Sequence, residues 1–171
     1  RHRGHADSEG HERHAFRLLR EAIIQNTQQR PVRPARQLID DQIIWGRSPI
    51  RLDLAGGWTD TPPYCLNSGG KVVNVAVNLN GQPPIQVFIR RCEQPVITIR
   101  SIDLGVFENL TTYDELGGYR GLGSGFSVAK AALALCGFHP AFNGAAFDSL
   151  AEQLTAFGGG VDISMLAAIP K

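Results

Sequence analysis

Lys71-Val-Val-Asn-Val-Ala-Val-Asn-Leu-Asn80-Gly-Gln-Pro-Pro-Ile-Gln-Val-Phe-Ile-Arg90-Arg-Cys-Glu-Gln-Pro-Val-Ile-Thr-Ile-Arg100-Ser101 is the stretch that decides the fold. It holds three β-prone runs, Lys71–Leu79, Ile85–Arg91 and Val96–Ser101, the last two parted by a polar turn at Glu93–Pro95. Short strands on hairpin-length connections predict an antiparallel or mixed sheet. Upstream, Ile43, Ile44 and Trp45 are also β-prone. Ile50, Leu52 and Leu54 alternate with Arg51 and Asp53 at a period of two. Downstream the pattern loosens after Asp103. Ser127–Cys136 then turns helical, rich in Ala and Leu, with Gly137 as its stop. Phe147–Phe157 reads as a second short helix or a turn-rich segment, and Val161–Ile169 as a final apolar strand. The expected class is α+β, a mixed or antiparallel sheet with helices on one face.

Composition narrows the functions. The chain has 171 residues, 43% of them hydrophobic and 19% charged, which suits a folded chain of one domain or one domain plus an arm. Lys and Arg number 17 against 16 Asp and Glu, so no electrostatic case exists for nucleic acid as a partner. No apolar run approaches the roughly 20 residues that span a bilayer. Cys65, Cys92 and Cys136 form neither a paired metal motif nor a disulfide framework. No metal site is expected, and idle thiols fit a reducing, cytoplasmic setting.

At the N-terminus, His2, His5, His11 and His14 lie among polar residues and read as a solvated tail. From Glu12 to Gln25, Phe16, Leu19 and Ile23, with Ala15, Leu18 and Ala22, fall at helical spacing. Pro31 and Pro34 end that helix. The expected partition is therefore tail, helix and Pro-containing linker over 1–36, and the domain over 37–171. The chain opens on Arg1 and closes just after a strand. Both features predict a segment of a longer protein.

The densest polar cluster runs from Arg47 to Tyr64. In it a strand delivers Arg51 and Asp53 on one face, Gly56-Gly57 turns the chain, and Trp58, Thr59 and Asp60 project from the turn. A carboxylate beside an aromatic ring suits a sugar: the carboxylate accepts hydroxyl hydrogen bonds and the ring covers an apolar face. The plainer reading is an Arg51–Asp53 surface pair worth about 0–1 kcal/mol, with Thr59-Asp60 only shaping the turn. Elsewhere, Ser124 or Ser127 reads as a helix N-cap after the glycine loop at 121–125, His139 as a loop residue, and Asp162 as a solvent-facing strand residue.

Four segments in order carry a resemblance: Trp45-Gly-Arg-Ser-Pro49, Gly56-Gly-Trp-Thr-Asp-Thr-Pro-Pro-Tyr64, Gly69-Gly-Lys-Val-Val-Asn74 and Asn80-Gly-Gln-Pro-Pro-Ile-Gln-Val87. Together with Arg51-Leu-Asp-Leu-Ala55 they resemble the first motif of the GHMP family of small-molecule kinases, most closely its L-fucokinase branch. Arg100–Gly105 and Lys130–Phe138 fit the same branch, so the likeness covers about residues 12 to 171. The resemblance implies a fold like the second domain of ribosomal protein S5 and ATP-dependent phosphorylation of a sugar, L-fucose at its anomeric hydroxyl. It implies that Asp60 binds sugar hydroxyls, that Arg51 serves catalysis near the transferred phosphoryl group, and that Gly56, Gly57, Trp58, Thr59 and Tyr64 complete the substrate site. Trp58 stands where galactokinases carry a histidine and Gly57 where they carry a glutamate, which suits a deoxy sugar.

ATP with Mg²⁺ is the implied cofactor pair, and an upstream nucleotidyltransferase domain the implied fusion partner. The family's phosphate loop should begin where this chain ends, at Lys171. The ATP-site residues are therefore unassigned and the isolated chain is expected to be inactive. Heptose kinases share the Ala-Gly-Gly-x-Thr-Asp core, so a heptose-type kinase is the alternative within the family. A non-catalytic sugar-binding fragment is the alternative outside it.

Overall fold

The computed structural model describes residues 10, 11, 14, 15, 17, 18, 21, 31–37, 39–121, 123, 125–144 and 147–169. Seven strands lie among them: β1 (Ile43–Ser48), β2 (Ile50–Ala55), β3 (Val73–Val77), β4 (Ile85–Cys92), β5 (Ile97–Ser101), β6 (Val106–Leu110) and β7 (Gly160–Ala167). The helices are α1 (Tyr64–Ser68), α2 (Tyr113–Gly117), α3 (Ser127–Leu133), α4 (Pro140–Asn143) and α5 (Leu150–Phe157). A five-stranded sheet runs in the order β1-β4-β7-β5-β6, while β2 and β3 form a separate two-stranded ribbon. The expected class holds: β5 and β7 are parallel, the other pairs are antiparallel, and the core lies between one sheet face and the helices.

Alternation explains that core. Ile97 and Ile99 of β5 and Val161 and Ile163 of β7 point to one face, where Leu133, Phe138, Leu150 and Leu154 meet them. Six of the core side chains, Ile97, Ile99, Leu110, Leu116, Leu150 and Leu154, are fully buried. Each contributes on the order of 1.5–3 kcal/mol by leaving water. Lys130 is buried with them and reaches Glu108 of β6 at 2.6 Å, tying α3 to the sheet edge. A capping box starts α2: Thr112 accepts the Glu115 N–H, and the Glu115 carboxylate accepts the Thr112 N–H.

The structure differs from the sequence reading in several places. β4 and β5 are neighbours in sequence but not in space, because β7 lies between them. Gly160 lets it enter: a Cβ there would stand 2.8 Å from Cys92 Sγ. Asp162 on this central strand is buried rather than solvent-facing. Arg90 Nη2 donates to its Oδ2 at 2.9 Å from one side, and Arg100 Nε stands 3.4 Å from Oδ1 on the other. The expected N-cap serine is also displaced. Phe126 holds the N-cap of α3 at φ 56° and Ser127 is the first helical residue, while Ser124 lies outside the described residues. His139 is no plain loop residue: its Nδ1 accepts the Ala141 N–H at 3.2 Å and caps α4. β6 and α1 went unread, since β6 buries only Leu110 and α1 buries nothing.

Of the expected N-terminal helix, residues 14, 15, 17, 18 and 21 are helical, and residues 10 and 11, expected in the tail, are helical too; Phe16, Leu19, Ala22 and Ile23 lie outside the described residues, as do His2 and His5. The proline segment runs against the helical layer. The Val32 N–H bonds the Phe142 carbonyl at 2.9 Å, and a Cβ on Gly137, at φ +93°, would lie 3.0 Å from Pro34 Cδ.

Candidate functional site on the β2–β3 ribbon

The period-two alternation of β2 puts Arg51 and Asp53 on one face of the ribbon. Arg51 pairs opposite Ala76 and Asp53 opposite Asn74. The two side chains form a fork, with Arg51 Nε 2.9 Å from Asp53 Oδ1 and Nη2 donating to Oδ2 at 3.1 Å. The pair is largely exposed, so its effect on stability is about 0–1 kcal/mol. Its structural effect is to fix the plane of the Arg51 guanidinium. The register shifts between Asp53 and Ala55, where the strand reaches its glycine turn. Such irregularities re-aim side chains at strand ends.

Two glycines close the loop that follows. Gly56 adopts φ +77° with its α-carbon against the Lys71 carbonyl, and a Cβ on Gly70 would lie 2.6 Å from Asp60 Cα. Backbone meets backbone at both points, and a side chain fits at neither. Gly57 faces Asp53, since a Cβ there would stand 3.7 Å from Oδ2. The Thr59 N–H bonds the Gly56 carbonyl at 3.0 Å and shapes the turn. The Thr59 hydroxyl lies 2.7 Å from the Gly56 carbonyl and 3.0 Å from the Lys71 carbonyl, and it accepts the Lys71 N–H at 3.1 Å.

The flanking residues are presented outward. Trp58 holds φ 76°, a conformation that costs a bulky L-residue on the order of 1–2 kcal/mol, and its side chain is 84% exposed. Asp60 is exposed and forms no hydrogen bond or ion pair among the described residues. Tyr64 opens α1 with its ring exposed. Two backbone bonds link it to the loop, Thr61 N–H to the Trp58 carbonyl at 3.1 Å and Cys65 N–H to the Thr61 carbonyl at 3.4 Å. The structure thus gathers Arg51, Gly56, Gly57, Trp58, Thr59 and Asp60 on one loop and its supporting strand, with Tyr64 at the loop's far end. The sequence reading missed the closure through Gly70 and Lys71. Its signal was the Gly69-Gly70 pair.

Among the described residues no group of three or more His, Cys, Asp or Glu side chains is placed to hold a metal ion. The glycine loop before α3 ends on Phe126, which offers no capping side chain.

A mixed sheet with helices on one face, carrying the Arg51–Asp60 motif on a separate ribbon, defines the class: an α+β chain. Within that class the relatives are fucokinases. The chain is 53% identical over 159 residues, 93% of its length, to L-fucokinase/L-fucose-1-P guanylyltransferase of Bacteroides fragilis. It is 44% identical over 52 residues, 30% of its length, to the Bifunctional fucokinase/GDP-fucose pyrophosphorylase of Arabidopsis thaliana. The motif-based likeness to the fucokinase branch is therefore borne out. The chain spans 17% of the length of the first relative and 5% of the second. No family model matches it. Two solved mevalonate kinases, one from Methanococcus jannaschii, overlay on 75% and 76% of the chain and 33% of their own length, with TM-scores of 0.44 and 0.45 at 16% identity.

Proposed function

We propose that this chain supplies the sugar-facing part of an ATP-dependent kinase that phosphorylates L-fucose at its anomeric hydroxyl, giving fucose 1-phosphate. The observation that carries the reading is the presentation of Asp60 and Trp58, both exposed, from a loop closed on Lys71, within a chain so similar to a fucokinase. The Asp60 carboxylate accepts hydrogen bonds from sugar hydroxyls, and the Trp58 ring covers an apolar face of the ring. Gly57 contributes no carboxylate, and Trp58 adds apolar surface, which favours a methyl group over a hydroxymethyl. Gly56 and Gly57 let the main chain approach the sugar, and Tyr64 borders it. Arg51, oriented by Asp53, supplies positive charge to offset the negative charge on the oxygens of the transferred phosphoryl group.

ATP is the phosphoryl donor in this reading and Mg²⁺ its counter-ion. Neither is assigned to residues described here, and no step is derived through them. Both relatives' names pair the kinase with a nucleotidyl-transferring activity, which supports fusion to such a domain. No helix among the described residues is long and apolar enough to cross a membrane, and a cytoplasmic location is part of the proposal.

Calorimetry on the chain tests the sugar assignment. L-Fucose is expected to bind, with L-galactose about tenfold weaker, the discrimination a single small group supports in an apolar pocket. D-Galactose and D-mannose are expected to give no heat. Asp60→Ala should abolish binding while circular dichroism stays unchanged, and Trp58→Ala should narrow the preference over L-galactose. D-Galactose binding as tightly as L-fucose, or an indifferent Asp60→Ala, overturns the assignment.

A further inference from the structure

Thr59 sits between the two residues that face outward, yet its side chain is turned inward. A hydroxyl has one proton to donate and lone pairs to accept with. Here the Lys71 N–H donates to it at 3.1 Å, and its own proton goes to the carbonyl of Gly56 at 2.7 Å or of Lys71 at 3.0 Å. One side chain thus joins the glycine turn to the start of β3, across 12 positions of sequence. Neither neighbour has a side-chain tether: Asp60 has no side-chain partner among the described residues, and Trp58 holds φ 76° with its ring in solvent. The backbone between them is therefore held by Thr59, by the Thr61 N–H bond to the Trp58 carbonyl and by the close glycine contacts at 56 and 70, and among these the Thr59 hydroxyl is the side-chain link to β3.

We propose that Thr59 is a positioning residue and not a sugar ligand: its hydroxyl locks the loop to Lys71 so that Trp58 and Asp60 present one composite surface to the substrate. The ligand in this inference rests on the fucokinase reading; the lock itself does not.

Two variants separate the hydroxyl from the side-chain volume. Thr59→Val keeps the shape and removes both hydrogen bonds, and Thr59→Ser keeps the hydroxyl. Three readouts are taken on the whole chain. Amide hydrogen exchange at Lys71 reads the lock directly. Fluorescence anisotropy of Trp58, in a Trp45→Phe background, reads the loop. L-Fucose titration reads the consequence. In Thr59→Val the Lys71 amide is expected to exchange at least tenfold faster, Trp58 anisotropy to fall and fucose affinity to drop about tenfold, with Thr59→Ser restoring most of each. Unchanged exchange or unchanged anisotropy in Thr59→Val overturns the lock, as does a Ser variant that behaves like Val. Should the unmodified chain bind no L-fucose, the sugar reading fails alone, and exchange and anisotropy still decide the lock.

Discussion

The five-stranded sheet with its helices and the β2–β3 ribbon share a chain but not a manner of holding together. In the sheet and its helices, Ile97, Ile99, Leu110, Leu116, Leu150 and Leu154 are fully buried. On the ribbon no residue of Ile50–Ala55 or Val73–Val77 is buried, and Leu52 and Leu54 stand 52% and 62% exposed with Val73 and Val75 beside them. The stable part and the part that bears the motif are therefore different parts. The motif is built from glycines, a hydroxyl and charges because its shape comes from close backbone contact, not from apolar packing. Its reverse, apolar face is left open.

The largest effect that sharpens this contrast is a pair of matched truncations. Leu154→Ala removes a fully buried side chain and is expected to cost about 2–5 kcal/mol. Leu54→Ala removes the same atoms from an exposed strand and is expected to cost under about 1 kcal/mol. Urea unfolding of both variants measures the difference. A Leu54→Ala loss as large as that of Leu154→Ala would show that the ribbon packs in solution, and the contrast would fail.

A smaller effect comes from the charges that the sheet half buries. Lys130→Ala opens a gap beside α3 and strands Glu108, at an expected cost of about 1–3 kcal/mol. Lys130→Met fills the same space without a charge and is expected to recover most of that loss. Asp162→Asn, between Arg90 and Arg100, is expected to fall in the same range as Lys130→Ala. Arg51→Ala on the ribbon breaks an equally well-formed pair, yet should shift the urea midpoint hardly at all, because water replaces the contact. An Arg51→Ala destabilisation equal to that of Asp162→Asn would remove the distinction between the two regions.

These contrasts also mark what the sequence made legible. The strands came through because Ile50-Arg-Leu-Asp-Leu54 and Ile97-Thr-Ile99 alternate cleanly, and alternation is local. The place of β7 did not. Its pairing with β4 and β5 joins residues about seventy positions apart, as in Arg90↔Asp162, and no local pattern encodes that. Asp162 was misplaced for that reason: the strand was read correctly, but its central position was not. In the site, the glycines and the Arg51–Asp53 spacing were readable because each is a short-range device. The Thr59–Lys71 lock was not, because a threonine in a turn looks the same whether its hydroxyl faces solvent or a distant amide.

The smallest expected effect is a pH dependence confined to the sheet half. His139 accepts the Ala141 N–H on Nδ1, and its ring lies edge-on to Tyr113 and Phe142. Burial, and then the Arg120 guanidinium, push its pKa down against a weaker upward pull from Asp114. The folded chain therefore favours the neutral ring. The associated stability is complete above the unfolded value of about 6.5 and is lost as pH falls through the lower folded value. Glu115 shifts in the same direction, held down by hydrogen bonds from Thr111 and Thr112, but it loses its contribution only below the ordinary carboxylate value, so the two windows separate. The melting temperature is expected to decline slightly from pH 7 toward 5, and His139→Asn, which keeps a capping acceptor without titrating, should flatten that decline. The ribbon and its loop, residues 50–77, contain no histidine. L-Fucose affinity measured well below the melting temperature should therefore stay level across the same interval. A step in affinity that tracks the step in melting, and vanishes in His139→Asn, would show that the helical layer and the ribbon are coupled, and the division between them would have to be redrawn.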